Sequence, residues 1–246
     1  MTDHKRGKYY QVSTLQALAQ GFSKSVITVD ELLAYGDLGL GTFEDVDGEM
    51  IVLDGKCYRA QSNGEVVPAE GVRGVPFASV CSFQPHRLEK LEKVDNIEQL
   101  KVWLTLRIEE EFGLNSMYAV RIEGEFSKVD ARSESGTKAH HVTLKDALSV
   151  TQKAFVFENI KGSLVCVYYP DYMDGINVAG WHLHFLSQNR KYGGHVFDVS
   201  LTQAEAAFCR ITSVEIQIPD TPAYDTYALK DASQEEIKKV EQGKKG

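Results

Sequence analysis

The chain has 246 residues, 43% of them hydrophobic and 25% charged, with a formal net charge of −8. That length can bury a sizeable core, and an acidic balance with no Lys/Arg cluster outside the tail argues against a nucleic-acid partner. No stretch approaches the roughly 18 apolar residues of a membrane span, no apolar signal region follows Met1–Lys8, and the four cysteines form no C-x-x-C pair, so a reduced, cytoplasmic setting is expected.

In chain order, the first segment reads as helical, with Ser13 capping a short helix through Leu15 and Leu18. Thr28-Val29-Asp30-Glu31 is a capping box opening a second helix that Gly36 would close. The turn signals Asp47-Gly48, Asp54-Gly55 and Ser62-Asn63-Gly64 punctuate Thr42–Asp45, Glu49–Leu53 and Lys56–Arg59 as a β-meander, and Phe77–Phe83 follows as a further strand. Apolar residues at Ile97, Leu100, Trp103, Leu104 and Ile108 predict one face of a helix starting at Asp95 or Asn96 and stopped by Gly113. Tyr118–Ile122 and Phe126–Val129 flank Glu123-Gly124 as a hairpin, Ala131–His141 reads as a polar loop, and Leu144–Thr151 as a short helix.

Beyond Phe155 the pattern is nearly all strand: Gly162–Tyr169, Val178–Ser187, His195–Leu201 and Arg210–Ile218. From Ser233 the tail is charged, and Ser233 with Glu236 would cap a frayed surface helix. The fold class is therefore α+β. Residues 1–155 are expected to form a mixed or antiparallel sheet with helices, and residues 156–246 a mostly β, barrel-like domain.

Within that second part lie His182-Leu183-His184 and, a hairpin away, Gly193-Gly194-His195. Alternation along a strand puts His182 and His184 on one face with Cα atoms about 6.6 Å apart, near enough for both rings to reach one ion. His195 opens the returning strand, where it can face the same space. Three imidazoles leave a divalent metal with open positions, a catalytic rather than a structural pattern. Imidazole suits Zn, Cu, Fe and Ni; zinc is favoured because Phe185, Leu186 and Ser187 supply no carboxylate for a two-histidine facial triad. Asp198, on the opposite face from His195 by alternation, is expected to play a supporting or structural part. His140-His141 point apart in an extended chain and read as loop residues.

Together with Gly39-Leu40-Gly41-Thr42-Phe43, Asp47-Gly48-Glu49-Met50-Ile51-Val52-Leu53-Asp54-Gly55 and Tyr118-Ala119-Val120-Arg121-Ile122-Glu123-Gly124, these histidine segments occur in an order that closely resembles bacterial α-acetolactate decarboxylase, over roughly Val12 to Tyr227. The resemblance implies a two-domain zinc enzyme, usually a homodimer, converting 2-acetolactate (2-hydroxy-2-methyl-3-oxobutanoate) to acetoin and CO₂. It implies that His182, His184 and His195 hold the metal and that Glu49 and Arg132 are catalytic, Arg132 also binding substrate. Thr42 would line the substrate pocket. A second glutamate would come from the tail: counting from the histidines lands on Glu241, with Glu235 and Glu236 as competitors.

The chemistry is coherent with these residue types. Loss of CO₂ from a β-keto acid leaves an electron pair as an enediolate, and a Lewis-acidic metal chelated by the substrate can hold it. Arg132 suits the substrate carboxylate, and Glu49 or Glu241 could deliver a proton. By themselves, Glu49 is an ordinary hairpin residue, Arg132 a loop cation and Glu241 part of a solvated tail. Three rivals stand beside this reading. One is another metal-dependent lyase or hydrolase. A cupin-like oxygenase would want a Glu where Ser187 and Gln188 stand. A binding protein with a structural metal would draw a fourth ligand from Cys166 or Cys209.

Overall fold

A computed structural model describes residues 7–137, 142–227, 233, 235 and 237–239. In chain order the described elements are β1 (Lys8–Val12), α1 (Leu15–Ala19), β2 (Ile27–Thr28), α2 (Val29–Leu33), β3 (Leu38–Thr42), β4 (Glu49–Leu53), β5 (Lys56–Ala60), β6 (Val66–Pro68), β7 (Gly74–Val75) and β8 (Phe77–Cys81). There follow β9 (Arg87–Val94), α3 (Ile97–Glu111), β10 (Met117–Ser133), α4 (Leu144–Thr151), β11 (Lys153–Tyr169), β12 (Gly180–Ser187), β13 (Gly193–Ile211) and β14 (Ser213–Gln217). One sheet runs β14-β1-β8-β3-β4-β5-β6 and the other β10-β11-β12-β13-β9; β2 and β7 pair alone. Because β10 also pairs with β13, strands β10 to β13 close on themselves. The fold is α+β with a barrel-like, β-rich C-terminal region, as expected.

Alternating burial organises the layers. Leu40 and Ile51 turn one face of the first sheet toward Ala119, Val165 and Val167 of the second. Met50 and Val52 turn the other face toward Val29 and Leu32 of α2. The far side of the second sheet receives Leu100, Leu104 and Ile108 of α3, the face predicted from their spacing. Asn96 caps that helix through Gln99 N–H, and Asp198 Oδ1 accepts the Ile97 N–H at 2.9 Å, so Asp198 anchors a helix start. The capping box of Thr28 and Glu31 is present at α2.

Several expectations need correction. The hairpin at Glu123-Gly124 is absent: β10 runs unbroken for 17 residues. Gly124 pairs with Gly162 on one side and Ala204 on the other, and a Cβ there would lie 2.4 Å from the Gln203 carbonyl oxygen, so this glycine permits close strand approach rather than a turn. His195–Leu201 and the start of the next expected strand are one 19-residue strand, whose polar middle at Thr202, Gln203 and Glu205 is simply exposed. Thr14, not Ser13, caps α1, and the residues before it form β1. β9 was not foreseen because its sequence, RLEKLEKV, has an edge strand's polar face.

The two sheets do not divide the chain at one point. β9, α3 and β10 belong with the later strands, β14 returns to pair in parallel with β1, and residue 155 lies within β11. The histidines thus sit where one end of the closed β10–β13 ring abuts β3 and β4.

Candidate metal centre and substrate pocket

His182 and His184 occupy alternate positions of β12 and share a face; His195, at the start of β13, pairs directly with His184. Their ring centroids lie 4.8 to 5.3 Å apart, and one ligand atom from each lies within 4.8 Å of the others. Nε2 of His182 is 3.1 Å from Nδ1 of His195. The second-layer partner of His184 comes from the other sheet: its Nδ1–H donates to the Met50 carbonyl at 2.8 Å. That bond leaves the Nε2 lone pair facing the cluster, buried with no hydrogen-bond partner. An orphaned imidazole nitrogen among two further imidazoles fits a divalent metal, since burying such an acceptor unmatched is costly.

Electrostatics keep the rings ready as ligands. Burial pulls the His184 pKa down from 6.5 to about 4; the Met50 hydrogen bond works against this and the Arg132 guanidinium with it. Burial, then the neighbouring His184 and Arg132, hold His182 well below the ordinary range. Both rings are neutral at physiological pH, the state that binds metal.

Around the cluster stand the residues singled out in the sequence. Arg132 is not on a loop: it lies in β10, paired with His195, 7% exposed, with Nη2 3.4 Å from His195 Nε2. Glu49 begins β4, and its Oε2 lies 3.4 Å from His184 Nε2. Its backbone N–H donates to Ser133 Oγ at 3.2 Å, and that hydroxyl donates to the Ala60 carbonyl at 2.7 Å, which ties the end of β10 to the first sheet. Thr42 pairs with Glu49 across β3 and β4, and its hydroxyl donates to the Gly48 carbonyl at 3.0 Å. Here the Asp-Gly turn is held from below.

Most of these groups line one pocket. Thr42, Glu49, Arg132, His182 and His184 form its polar side, and Leu18, Val46, Phe77, Leu144 and Leu148 its apolar side. Sequence reasoning missed Glu134, which is 2% exposed and lines the same pocket two residues beyond Arg132. Had Ala131 onward been read as strand, period-2 alternation from Arg132 would have found it.

Of the tail candidates, Glu241 and Glu236 lie outside the described residues, as do His140 and His141. Glu235 is exposed and is not among the residues lining the pocket. Ile237, however, is buried with Leu15, Leu18, Val46, Phe77 and Leu144, so this part of the tail packs on the pocket's apolar wall. Neither cysteine can complete a structural site. Cys166 pairs with Leu183 and packs in the α3-side core, on the other face of the barrel wall from the histidines, and Cys209 belongs to the core between the sheets.

Known proteins share this fold. A family profile described as alpha-acetolactate decarboxylase matches residues 9–231. The Methanosarcina mazei protein of that name is 40% identical over 233 residues, covering 94% of this chain and 79% of its own. The Bacillus subtilis (strain 168) protein is 34% identical over 223 residues, 89% of this chain and 84% of its own. The crystal structure of the alpha-acetolactate decarboxylase from that strain superposes with a TM-score of 0.90 at 31% identity, over 96% of this chain and all of the other. This chain is a member of the alpha-acetolactate decarboxylase family.

Proposed function

We propose that this enzyme decarboxylates 2-acetolactate to acetoin and CO₂ with zinc held by His182, His184 and His195. One observation carries the reading: three buried imidazoles converge beside a guanidinium and a carboxylate, each of which lies 3.4 Å from one of the rings. A divalent ion bound there supplies Lewis acidity that stabilises the electron pair left as CO₂ departs.

The chain's own residues supply the remainder. Arg132, buried and fixed in a strand, presents a planar donor fork to the substrate carboxylate and orients the bond to be broken. Glu49, 3.4 Å from His184 and lining the pocket, delivers the proton to the carbon that has lost CO₂. Thr42, bonded to the Gly48 carbonyl, keeps the Glu49 turn in place and borders the pocket. Leu18, Phe77 and Leu144 give the substrate's methyl groups a dry surface. Glu241, at the expected distance beyond the histidines, is the second carboxylate in this reading.

The setting is cytoplasmic and the assembly a homodimer; all four cysteines are buried, which accords with a reducing compartment, and light scattering checks the assembly. Among the described residues no helix is long and apolar enough to cross a membrane.

The deciding experiment measures bound metal in the purified protein and acetoin formed from acetolactate before chelation, after it, and after zinc is restored. Activity that follows zinc supports the reading. Activity that survives complete metal removal, or that persists in His182→Ala, overturns it.

A further inference from the structure

The turn that delivers Glu49 is strained and externally clamped. Asp45 and Val46 both take positive φ, 63° and 56°, a costly conformation for a β-branched residue. Such backbone persists where its surroundings over-determine it, and functional sites are where it accumulates. Here Lys24 Nζ donates to Asp45 Oδ1 at 2.6 Å, and the Asp45 N–H donates to the Ser23 carbonyl at 2.8 Å.

The next residue, Asp47, joins four segments through one carboxylate. Its Oδ2 accepts from Arg59 Nη1 at 2.5 Å and from the Arg73 guanidinium, and its Oδ1 accepts the Gly136 N–H at 3.0 Å. Beside it the Thr137 N–H donates to the Asp45 carbonyl at 3.0 Å. Gly136 is needed for this approach, since a Cβ there would lie 2.9 Å from Asp47 Cβ. Arg73 is itself seated over the Phe43 ring, 5.2 Å from its centroid, next to Thr42.

The connectivity gives the clamp its meaning. Two residues after Asp47 comes Glu49; four residues before Gly136 comes Arg132. These are the two charged groups flanking the histidines from different sheets. Asp47, Arg59 and Arg73 are not among the residues lining the pocket. We infer that Asp47 is a positioning residue whose carboxylate fixes the spacing between Glu49 and Arg132. The inference rests on the proposed decarboxylase reading for the roles of those two groups.

The test uses the metal-loaded protein with Asp47→Ala and the near-isosteric Asp47→Asn, which keeps an acceptor for the Gly136 N–H and serves if the alanine variant does not fold. Amide exchange at Gly136 and Thr137 should accelerate at least about tenfold in Asp47→Ala and less in Asp47→Asn. With metal content unchanged, kcat should fall about tenfold or more, because small misplacements of catalytic groups are costly, and Asp47→Asn should recover part of it. In a Glu49→Asp background the same Asp47→Ala change should cost no more than about twofold, the non-additivity of residues acting through one another. Fully additive losses, or losses that track metal content, overturn the inference. If the wild type forms no acetoin, the proposed function fails instead, and the clamp is decided by exchange alone: unchanged protection at Gly136 and Thr137 overturns it.

Discussion

Acidifying the metal-free protein probes the histidine cluster most directly. His184 is 1% exposed and spends its Nδ1–H on the Met50 carbonyl, and burial lowers its pKa from 6.5 to about 4. The difference corresponds to about 3 kcal/mol between the charged and neutral forms. Because the folded pKa lies below the unfolded one, the unfolded chain binds the extra proton in the intervening range. Stability from this group is therefore complete above pH 6.5, declines as pH falls from 6.5 to about 4, and declines no further below that. His182, shifted downward first by burial, acts in the same direction. Urea unfolding of chelator-treated protein at steps from pH 8 to pH 4 measures this, with His184→Gln as the reference in which the group cannot titrate. The wild type should lose about 3 kcal/mol more than the variant across the window. Equal losses in the two proteins would refute the claim that His184 is buried neutral. Zinc-loaded protein should resist the same acidification until protons displace the metal, since the ligands bind only as neutral imidazoles.

Three further outcomes follow from particular contacts. Arg132→Ala should abolish measurable acetoin formation while bound zinc stays near one per chain on elemental analysis; loss of the zinc would make Arg132 a structural partner of His195 rather than a substrate group. Gly39→Ala places a Cβ 2.0 Å from the Ser79 carbonyl oxygen and should destabilise by about 1–3 kcal/mol or more in denaturant titration, whereas a shift below about 0.5 would show that β3 and β8 can part freely. Phe126 is 1% exposed and packs edge-on against Phe185 with centroids 5.3 Å apart, so Phe126→Ala should cost about 3–5 kcal/mol, read from the same titrations. A cost under 1 kcal/mol would mean that the ring is not part of a tightly packed barrel interior.

Local signals were legible where one side chain or one period carries the information. The capping box at Thr28 and Glu31, the buried face of α3 and the turns flanking β4 all read directly from the residues, because each depends on neighbours within one turn of chain. The same holds for the histidines: strand alternation alone puts His182 and His184 on one face. Glycine misled the reading at Gly124, where a residue that often marks a turn serves instead to let three strands pass close together. That mistake shortened β10, turned Arg132 into a loop residue and hid Glu134.

What the sequence by itself determined, then, is the donor set and its periodicity: three imidazoles on adjoining strands, with an acidic hairpin and an arginine elsewhere in the chain. What tertiary structure decided is that these meet. β10 and β13 pair so that Arg132 faces His195, and β4 slides beneath β12 so that the Met50 carbonyl sets the His184 ring and Glu49 reaches its Nε2. The reason is range. Alternation and capping act over a few residues, whereas 132 meets 195 and 49 meets 184 only through sheet pairing and burial, which no local pattern encodes.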